Sequence, residues 1–180
     1  MCNSYLCGGG ARAVAPSPPR CLLLMGREDY TPRLGSSSQP LLAEVKIYVD
    51  ACVLSEDRAG AGVYWGPESS RNLAKRLKGS HTSLTAEIAA AVIAIEQAAN
   101  FGILRVTIVT DSDAVIGHAT GKRDVSASDT KIFRYWVGRL HDCLKQKQVK
   151  WELVKAHSGN PGNDAAHALA REGAQKPHDE

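Results

Sequence analysis

Two short apolar segments, each closed by an aspartate, place the strongest constraint on how this chain folds. Residues 45–50 and 106–111 are rich in β-branched and aromatic side chains, which predicts two strands. Aspartate is a poor strand former, so each aspartate indicates a strand end. If the two strands are neighbours, Asp50 and Asp111 lie close together and repel each other unless a positive charge lies between them. A divalent cation is the simplest such charge.

Composition narrows the class of protein without fixing its function. A chain of 180 residues with 43% hydrophobic side chains suits one globular domain plus an appendage. Its net charge of +3 fits a polyanionic partner, but fits an ordinary mildly basic enzyme equally well. The five cysteines include no CxxC pair and no zinc-site spacing, which predicts a reducing, intracellular compartment. No apolar run approaches the length of a membrane span, so we expect no membrane partner.

The amino-terminal quarter of the chain differs in composition from the rest. Residues 1–42 are rich in glycine, serine and proline, which predicts a disordered segment. Residues 1–27 contain arginines but no acids, as mitochondrial targeting peptides do. The prolines and the lack of a helical period favour a plain disordered tail, and with it the nucleus or cytoplasm. We expect the folded domain to cover residues 43–175 and residues 176–180 to form a tail.

The rest of the sequence predicts three antiparallel strands, a helix, a strand, two helices, a strand and a last helix. The strand-helix-strand connections require parallel pairing, so the predicted sheet is mixed, with helices on both faces. The predicted strands are residues 45–50, 59–65, 71–77, 106–111 and 149–154, and the predicted helices are residues 84–99, 112–119, 129–146 and 163–172.

A third acid, Glu87, falls in the first turns of the helix that follows the three strands. A helical glutamate is usually solvated, so Glu87 alone says little. This helix can, however, begin over the carboxyl ends of the strands that carry Asp50 and Asp111. The three carboxylates would then converge on one point.

At this stage six motifs resemble the type 1 ribonuclease H family in order and spacing, over roughly residues 44–175. They are YVD at 48–50, GAGVYWG at 60–66, TAEI at 85–88, VTDS at 109–112, HSGNPGN at 157–163 and LAREGA at 169–174. The resemblance implies an α/β fold with a five-stranded mixed sheet, an antiparallel meander plus parallel strands, flanked by helices. It also implies an endonuclease that cuts the RNA strand of RNA–DNA hybrids with two Mg²⁺ ions.

The resemblance assigns roles to individual residues. Asp50 would bridge the two ions while Glu87 and Asp111 each hold one, and hard Mg²⁺ prefers such oxygen ligands. His157 would assist proton transfer or product release. Substrate contacts would fall on five further residues, namely Ala51, Cys52, Thr82, Ser83 and Asn163.

The sequence also departs from the family pattern. His167 stands where the fourth metal-binding carboxylate belongs, and imidazole is a poor ligand for Mg²⁺ but a fair one for Mn²⁺. Asp164 lies about one turn earlier and is the alternative fourth ligand. The basic, tryptophan-rich protrusion of many members is missing between Ile116 and Ile132, which predicts weak, salt-sensitive hybrid binding.

Two functions therefore remain open at the level of sequence. The first is a metal-dependent nuclease, favoured by three of four carboxylates and His157 in register. The alternative is a ribonuclease H-like module that binds nucleic acid but cuts little or nothing, favoured by His167 and the reduced substrate contacts. In either case we expect a monomer.

Overall fold

A five-stranded mixed sheet with helices packed against it forms the structure, a computed structural model that describes residues 45–126, 129–156 and 158–177. The elements in chain order are β1 (Val45–Ser55), β2 (Arg58–Tyr64), β3 (Leu73–Arg76), α1 (Ser83–Asn100), β4 (Arg105–Thr110), α2 (Asp113–Ala119), α3 (Lys131–Gln146), β5 (Gln148–Leu153) and α4 (Pro161–Gln175). The strand order is β3-β2-β1-β4-β5. Pairing is antiparallel among the first three strands and parallel from β1 to β4 to β5. This confirms the predicted fold class and order of elements.

The prediction that β1 ends at Asp50 is wrong. β1 continues to Ser55, and Asp50 is paired with Gly62 of β2 inside the antiparallel ladder. What ends near Asp50 is the neighbouring strand, because β4 pairs with β1 only as far as Tyr48 and stops at Thr110. Asp50 is therefore open to one side although its own strand continues.

The third strand is also shorter than the predicted residues 71–77. Asn72 belongs to the turn before β3, since its side chain accepts from the Trp65 N–H and donates to the Gly66 carbonyl, both at 2.8 Å. An asparagine side chain that replaces backbone partners in this way favours a turn over a strand.

Helix α1 lies at the centre of the core. Alanines and β-branched residues cover its sides, and its buried residues include Ile88, Val92 and Ile95. Thr82 caps its start by accepting from the Thr85 N–H at 3.2 Å. Alanine has high helix propensity and a small side chain, so α1 can approach the sheet and α3 closely. The helix thus begins at a fixed position beside the sheet.

Helix α4 packs against β1, β2 and β3 on the opposite face of the sheet from α1. Asn160 caps it and Pro161 occupies its first turn, so it begins two residues before the predicted start. The approach is close because β2 presents glycine to it: a Cβ on Gly62 would lie 2.0 Å from the Ala166 carbonyl oxygen. This spacing brings the inward side of α4 against Asp50.

The disordered segment and the tail that the sequence predicts lie wholly or partly outside the described residues. Residues 1–42 lie outside the described residues, as do residues 178–180 of the expected tail, so both assignments stay predictions. None of the helices in the described ranges is both long and apolar enough to cross a membrane.

Candidate active site

Asp50 is the most deeply buried carboxylate of the site, with 8% of the residue exposed. Its Oδ1 accepts from the Ala51 N–H at 2.7 Å, and its Oδ2 accepts from Nδ1 of His167 at 2.8 Å. Burial raises the pKa of Asp50 above its ordinary value; Asp111 raises it further, while the hydrogen bonds from Ala51 and His167 lower it. Burial dominates, so the charged form of Asp50 is disfavoured in this structure.

Glu87 comes to the same place from the second turn of α1. The Ser112 hydroxyl, which also caps α2, donates a hydrogen bond to its carboxylate. Burial raises the pKa of Glu87, and the nearby charges of Asp111 and Asp50 raise it further. Glu87 is therefore directed inward, and the solvated alternative considered for an isolated helical glutamate does not apply.

Asp111 follows directly after β4. Its Oδ2 accepts from the Nδ2 of Asn163 at 3.1 Å, and Asn163 is itself only 3% exposed. The Oδ1 of the same Asn163 side chain is buried without a hydrogen-bond partner among the described residues. In the structure Asn163 thus orients a carboxylate, and the substrate contact that the sequence motif suggested for it stays a prediction.

A single cavity of about 470 Å³ joins these side chains. We call Asp50, Glu87 and Asp111 the carboxylate cluster. The full lining is Asp50, Ala51, Glu87, Asp111, Ser112, Asp113, Ala114, Ala156 and His167. The structure thus brings together the three acids that the sequence singled out.

One acid of this cavity escaped the sequence reasoning. Asp113 lies two residues after Asp111 and forms an ion pair with Arg123 at 2.9 Å. Asp113 could have been recognised as the second aspartate in the run Asp111-Ser112-Asp113, but an aspartate there is also typical of an ordinary helix start. Asp113 thus lines the cavity with its charge offset by Arg123.

The two candidates for the fourth ligand differ clearly in position. His167 lines the cavity and contacts Asp50, whereas Asp164 is exposed on α4 and does not line it. An aspartate in the first turn of a helix is stabilised by the helix dipole, which accounts for Asp164 without a metal.

The residues of the cavity suit a divalent cation. No three acidic, histidine or cysteine side chains in the described ranges are already arranged to hold an ion. The chemistry nevertheless fits, because three carboxylates share one cavity and burial disfavours the charged form of two of them. A carboxylate has about four lone-pair sites, so each retains acceptor capacity beyond its present hydrogen bonds. A hard cation would offset the repulsion among them.

The predicted substrate contacts are spread over two places. Ala51 lines the carboxylate cavity, while Cys52 is half-buried further along β1, where burial raises the pKa of its thiol. Thr82 lines a separate cleft of about 440 Å³, and Ser83 is exposed at the start of α1. His157 lies outside the described residues, so its role stays a prediction.

The chain is similar in sequence to known proteins. The sequence model of the family described as RNase H matches residues 43–175. Ribonuclease H1 of Homo sapiens is 37% identical over 147 residues, which cover 75% of this chain and 51% of that protein. Ribonuclease H of Escherichia coli is 32% identical over 149 residues, covering 76% of this chain and 93% of that protein. The chain spans about half the length of the mammalian relatives it matches.

The fold is similar to that of a solved structure. The crystal structure of RNase H1 from the archaeon Halobacterium salinarum superimposes with a TM-score of 0.58 at 24% identity. The match covers 73% of this chain and 97% of that one. Because the sequence identity is only 24%, this similarity shows that the two proteins share a fold and nothing more.

Proposed function

Because this chain belongs to the ribonuclease H family, we propose that it is a metal-dependent endonuclease that hydrolyses the RNA strand of RNA–DNA hybrids. The observation that carries the proposal is the convergence of the carboxylate cluster on one cavity. Scattered strand ends and helix caps would not place three acids, two of them with raised pKa, around a shared space.

In this proposal Asp50, Glu87 and Asp111 hold two Mg²⁺ or Mn²⁺ ions. When bound, such a pair of ions activates a water molecule and stabilises the leaving oxygen of an in-line phosphodiester displacement. The protein contributes the position of the ligands. Ser112 fixes Glu87 and Asn163 fixes Asp111, so each carboxylate is oriented before an ion arrives.

In this proposal His167 adjusts the metal preference of the site. Its imidazole Nδ1 contacts Asp50 at 2.8 Å, and its side chain remains 45% exposed towards the cavity side. Imidazole suits Mn²⁺ better than Mg²⁺, so we propose that Mn²⁺ supports cleavage better than Mg²⁺. His157 would assist proton transfer or product release.

The test is a gel assay of the full chain on an RNA–DNA hybrid labelled on each strand in turn. Reactions contain Mg²⁺, Mn²⁺ or chelator, with Asp50→Asn as the matched variant. Cleavage of the RNA strand alone, dependent on metal and lost in Asp50→Asn, supports the nuclease. Cleavage that survives Asp50→Asn rejects the proposed site, because the central ligand would be dispensable.

A second function is favoured by the same contact between His167 and Asp50. A side chain that already occupies Oδ2 of Asp50 competes with an ion there, so the domain would bind hybrids and cut little or nothing. Hybrid binding without cleavage in either metal supports this alternative. Robust cleavage by the unmodified chain excludes it.

We further propose that the protein acts as a monomer inside the cell, in the nucleus or cytoplasm. A mitochondrial address in residues 1–27 is the competing proposal, based on their arginines and lack of acids. A fluorescent reporter fused to residues 1–27 separates the two by import into mitochondria or failure to enter them. Light scattering after size exclusion tests the monomer.

A further inference from the structure

The exposed side of α3 combines positive charge with an aromatic ring. Lys131, Arg134, Tyr135 and Arg139 are all exposed, and their spacing of three and four residues places them on one side of the helix. We call these four residues the α3 face. The helix carries four lysines and arginines against one acid, Asp142, whereas the whole chain has a net charge of only +3. The positive charge is thus concentrated on this helix.

The aromatic part of the α3 face is held in place. The rings of Tyr135 and Trp136 meet edge to face with centroids 5.2 Å apart. Arg139 lies 5.9 Å from the Tyr135 ring, donates to its hydroxyl at 3.3 Å and forms an ion pair with Glu96. Tyr135 nevertheless stays 52% exposed. A surface that is already ordered loses little conformational entropy when a ligand binds.

Two positions of this side of the helix are unfavourable for helix stability. Lys131 is the first residue of α3, where the helix dipole favours an acid, and the first turn contains none. Gly138 is exposed in the helix interior, and a Cβ there would have no heavy atom within 4 Å, so packing does not require glycine. Both residues depart from what a stable helix prefers, and both lie on the same exposed surface. Such departures indicate that function constrains this surface.

The α3 face begins next to the proposed active site. Lys131 lines the 440 Å³ cleft together with Thr82 and Thr85 at the start of α1, and Glu87 follows two residues later on that helix. From Lys131 to Arg139 the helix rises about 12 Å, which is about the rise of three to four nucleotides of one strand. A nucleic acid that occupies the carboxylate cavity and crosses this cleft would therefore reach α3.

We propose that the α3 face binds the sugar–phosphate backbone of the hybrid, in place of the basic protrusion that this sequence lacks; this rests on the proposed function. Lys131 contacts a phosphate and has no ion-pair partner in the described part of the chain. The Tyr135 ring lies against a sugar. Gly138 leaves the middle of the surface without a side chain, so a backbone can approach the helix closely.

The test measures hybrid binding by fluorescence anisotropy over a range of salt concentrations, with the full chain carrying Asp50→Asn so that no cleavage occurs. Lys131→Gln should lower the slope of log affinity against log salt by about one, making binding roughly tenfold weaker at 0.1 M salt. Lys145→Gln is the matched control, because it removes the same charge from the far end of the same helix. Lys145→Gln should change neither the salt slope nor the affinity.

A second pair of variants tests the aromatic contact. Tyr135→Ala should weaken binding several-fold with an unchanged salt slope, whereas Tyr135→Phe, which keeps the ring, should bind like the parent. The proposal that the α3 face binds the hybrid would be overturned by equal salt slopes for Lys131→Gln and Lys145→Gln. Equal affinities for the two Tyr135 variants would overturn it as well. If the chain with intact Asp50 still cleaves hybrid in that case, only this inference fails; a chain that neither binds nor cleaves hybrid rejects the proposed function as well.

Discussion

The imidazole of His167 lies against the most buried carboxylate of the site, so the properties of Asp50 depend on the residue at position 167. Histidine and aspartate differ there in charge and in metal preference. Histidine stabilises a charged Asp50 in the absence of metal, while aspartate would add a hard oxygen ligand and further repulsion. Two predictions at the scale of single residues follow from this contact.

His167→Asp should raise the rate of hybrid cleavage with Mg²⁺ by about tenfold, because it restores an oxygen ligand beside Asp50. The advantage of Mn²⁺ over Mg²⁺ should shrink in the same variant. Single-turnover rates in each metal provide the measurement. His167→Asn is the control, since it is polar and uncharged and should not raise the Mg²⁺ rate. An unchanged Mg²⁺ rate in His167→Asp would mean that the fourth ligand does not limit the reaction.

Asp50→Asn should stabilise the fold at pH 7 without metal while it reduces cleavage by about 100-fold or more. Burial raises the pKa of Asp50 in the folded protein, so ionisation costs stability at every pH above the unfolded pKa. The difference in the free energy of unfolding should therefore shrink as the pH falls towards about 4. Urea unfolding of both proteins in the presence of a chelator measures this difference. A less stable Asp50→Asn protein would show that the His167 contact outweighs the burial of the charge.

At the scale of elements, the distance between α4 and the sheet decides which side chains enter the cavity. Both Asn163 and His167 lie on α4, and both contact a member of the carboxylate cluster. The helix can come this close only because β2 presents glycine beneath it. A Cβ at Gly62 would lie 2.0 Å from the carbonyl oxygen of Ala166 and 2.5 Å from the backbone nitrogen of Ala170.

Gly62→Ala should destabilise the fold by about 2 kcal/mol or more and reduce cleavage, because two backbone groups of α4 would have to move. Gly138→Ala is the matched substitution on α3, where the added methyl group meets no heavy atom within 4 Å. It should stabilise the fold by about 0.5–1 kcal/mol. Chemical unfolding of both variants gives the comparison. Similar unfolding free energies for the two would contradict the proposed role of the close approach.

At the scale of the whole molecule, His81 connects parts that are distant in sequence. Its backbone N–H donates to the Glu56 carbonyl in the turn between β1 and β2, at 3.0 Å. Its ring donates to the Lys78 carbonyl at 3.1 Å and packs beside Trp136 of α3, with ring centroids 6.4 Å apart. Only 3% of the residue is exposed, so its charge state affects the stability of the whole fold.

The protonation of His81 should lower the stability of the fold as the pH drops from about 7 to 5, so His81→Phe should lose less stability than the parent over this range. Burial lowers the pKa of His81 in the folded protein, so below the unfolded value of about 6.5 the unfolded chain binds a proton that the native state resists. Urea unfolding at a series of pH values measures the slope. Gly138→Ala, which changes no titratable group, is the control and should retain the parental slope. Identical slopes for the parent and His81→Phe would contradict the prediction.

The sequence by itself predicted the order of the elements and three acids of the candidate site. Alternating and apolar runs located the five strands, the alanine-rich period located α1, and the order of the elements required a mixed sheet. The acids Asp50, Glu87 and Asp111 could be identified because carboxylates are costly in apolar segments and stand out there. Local chemistry and spacing were enough for these conclusions.

Only the tertiary structure decided how the acids are held and what lies against them. Strand pairing, which depends on the neighbouring strands, placed Asp50 inside a continuing ladder rather than at a strand end. Packing of α4 on the glycines of β2 placed His167, and not Asp164, in the cavity, although the two are one helical turn apart. The contacts of Asn163 and Asp113 likewise depend on segments far apart in the sequence. Such contacts have no local signature, because they arise from distances that only the assembled sheet and helices fix.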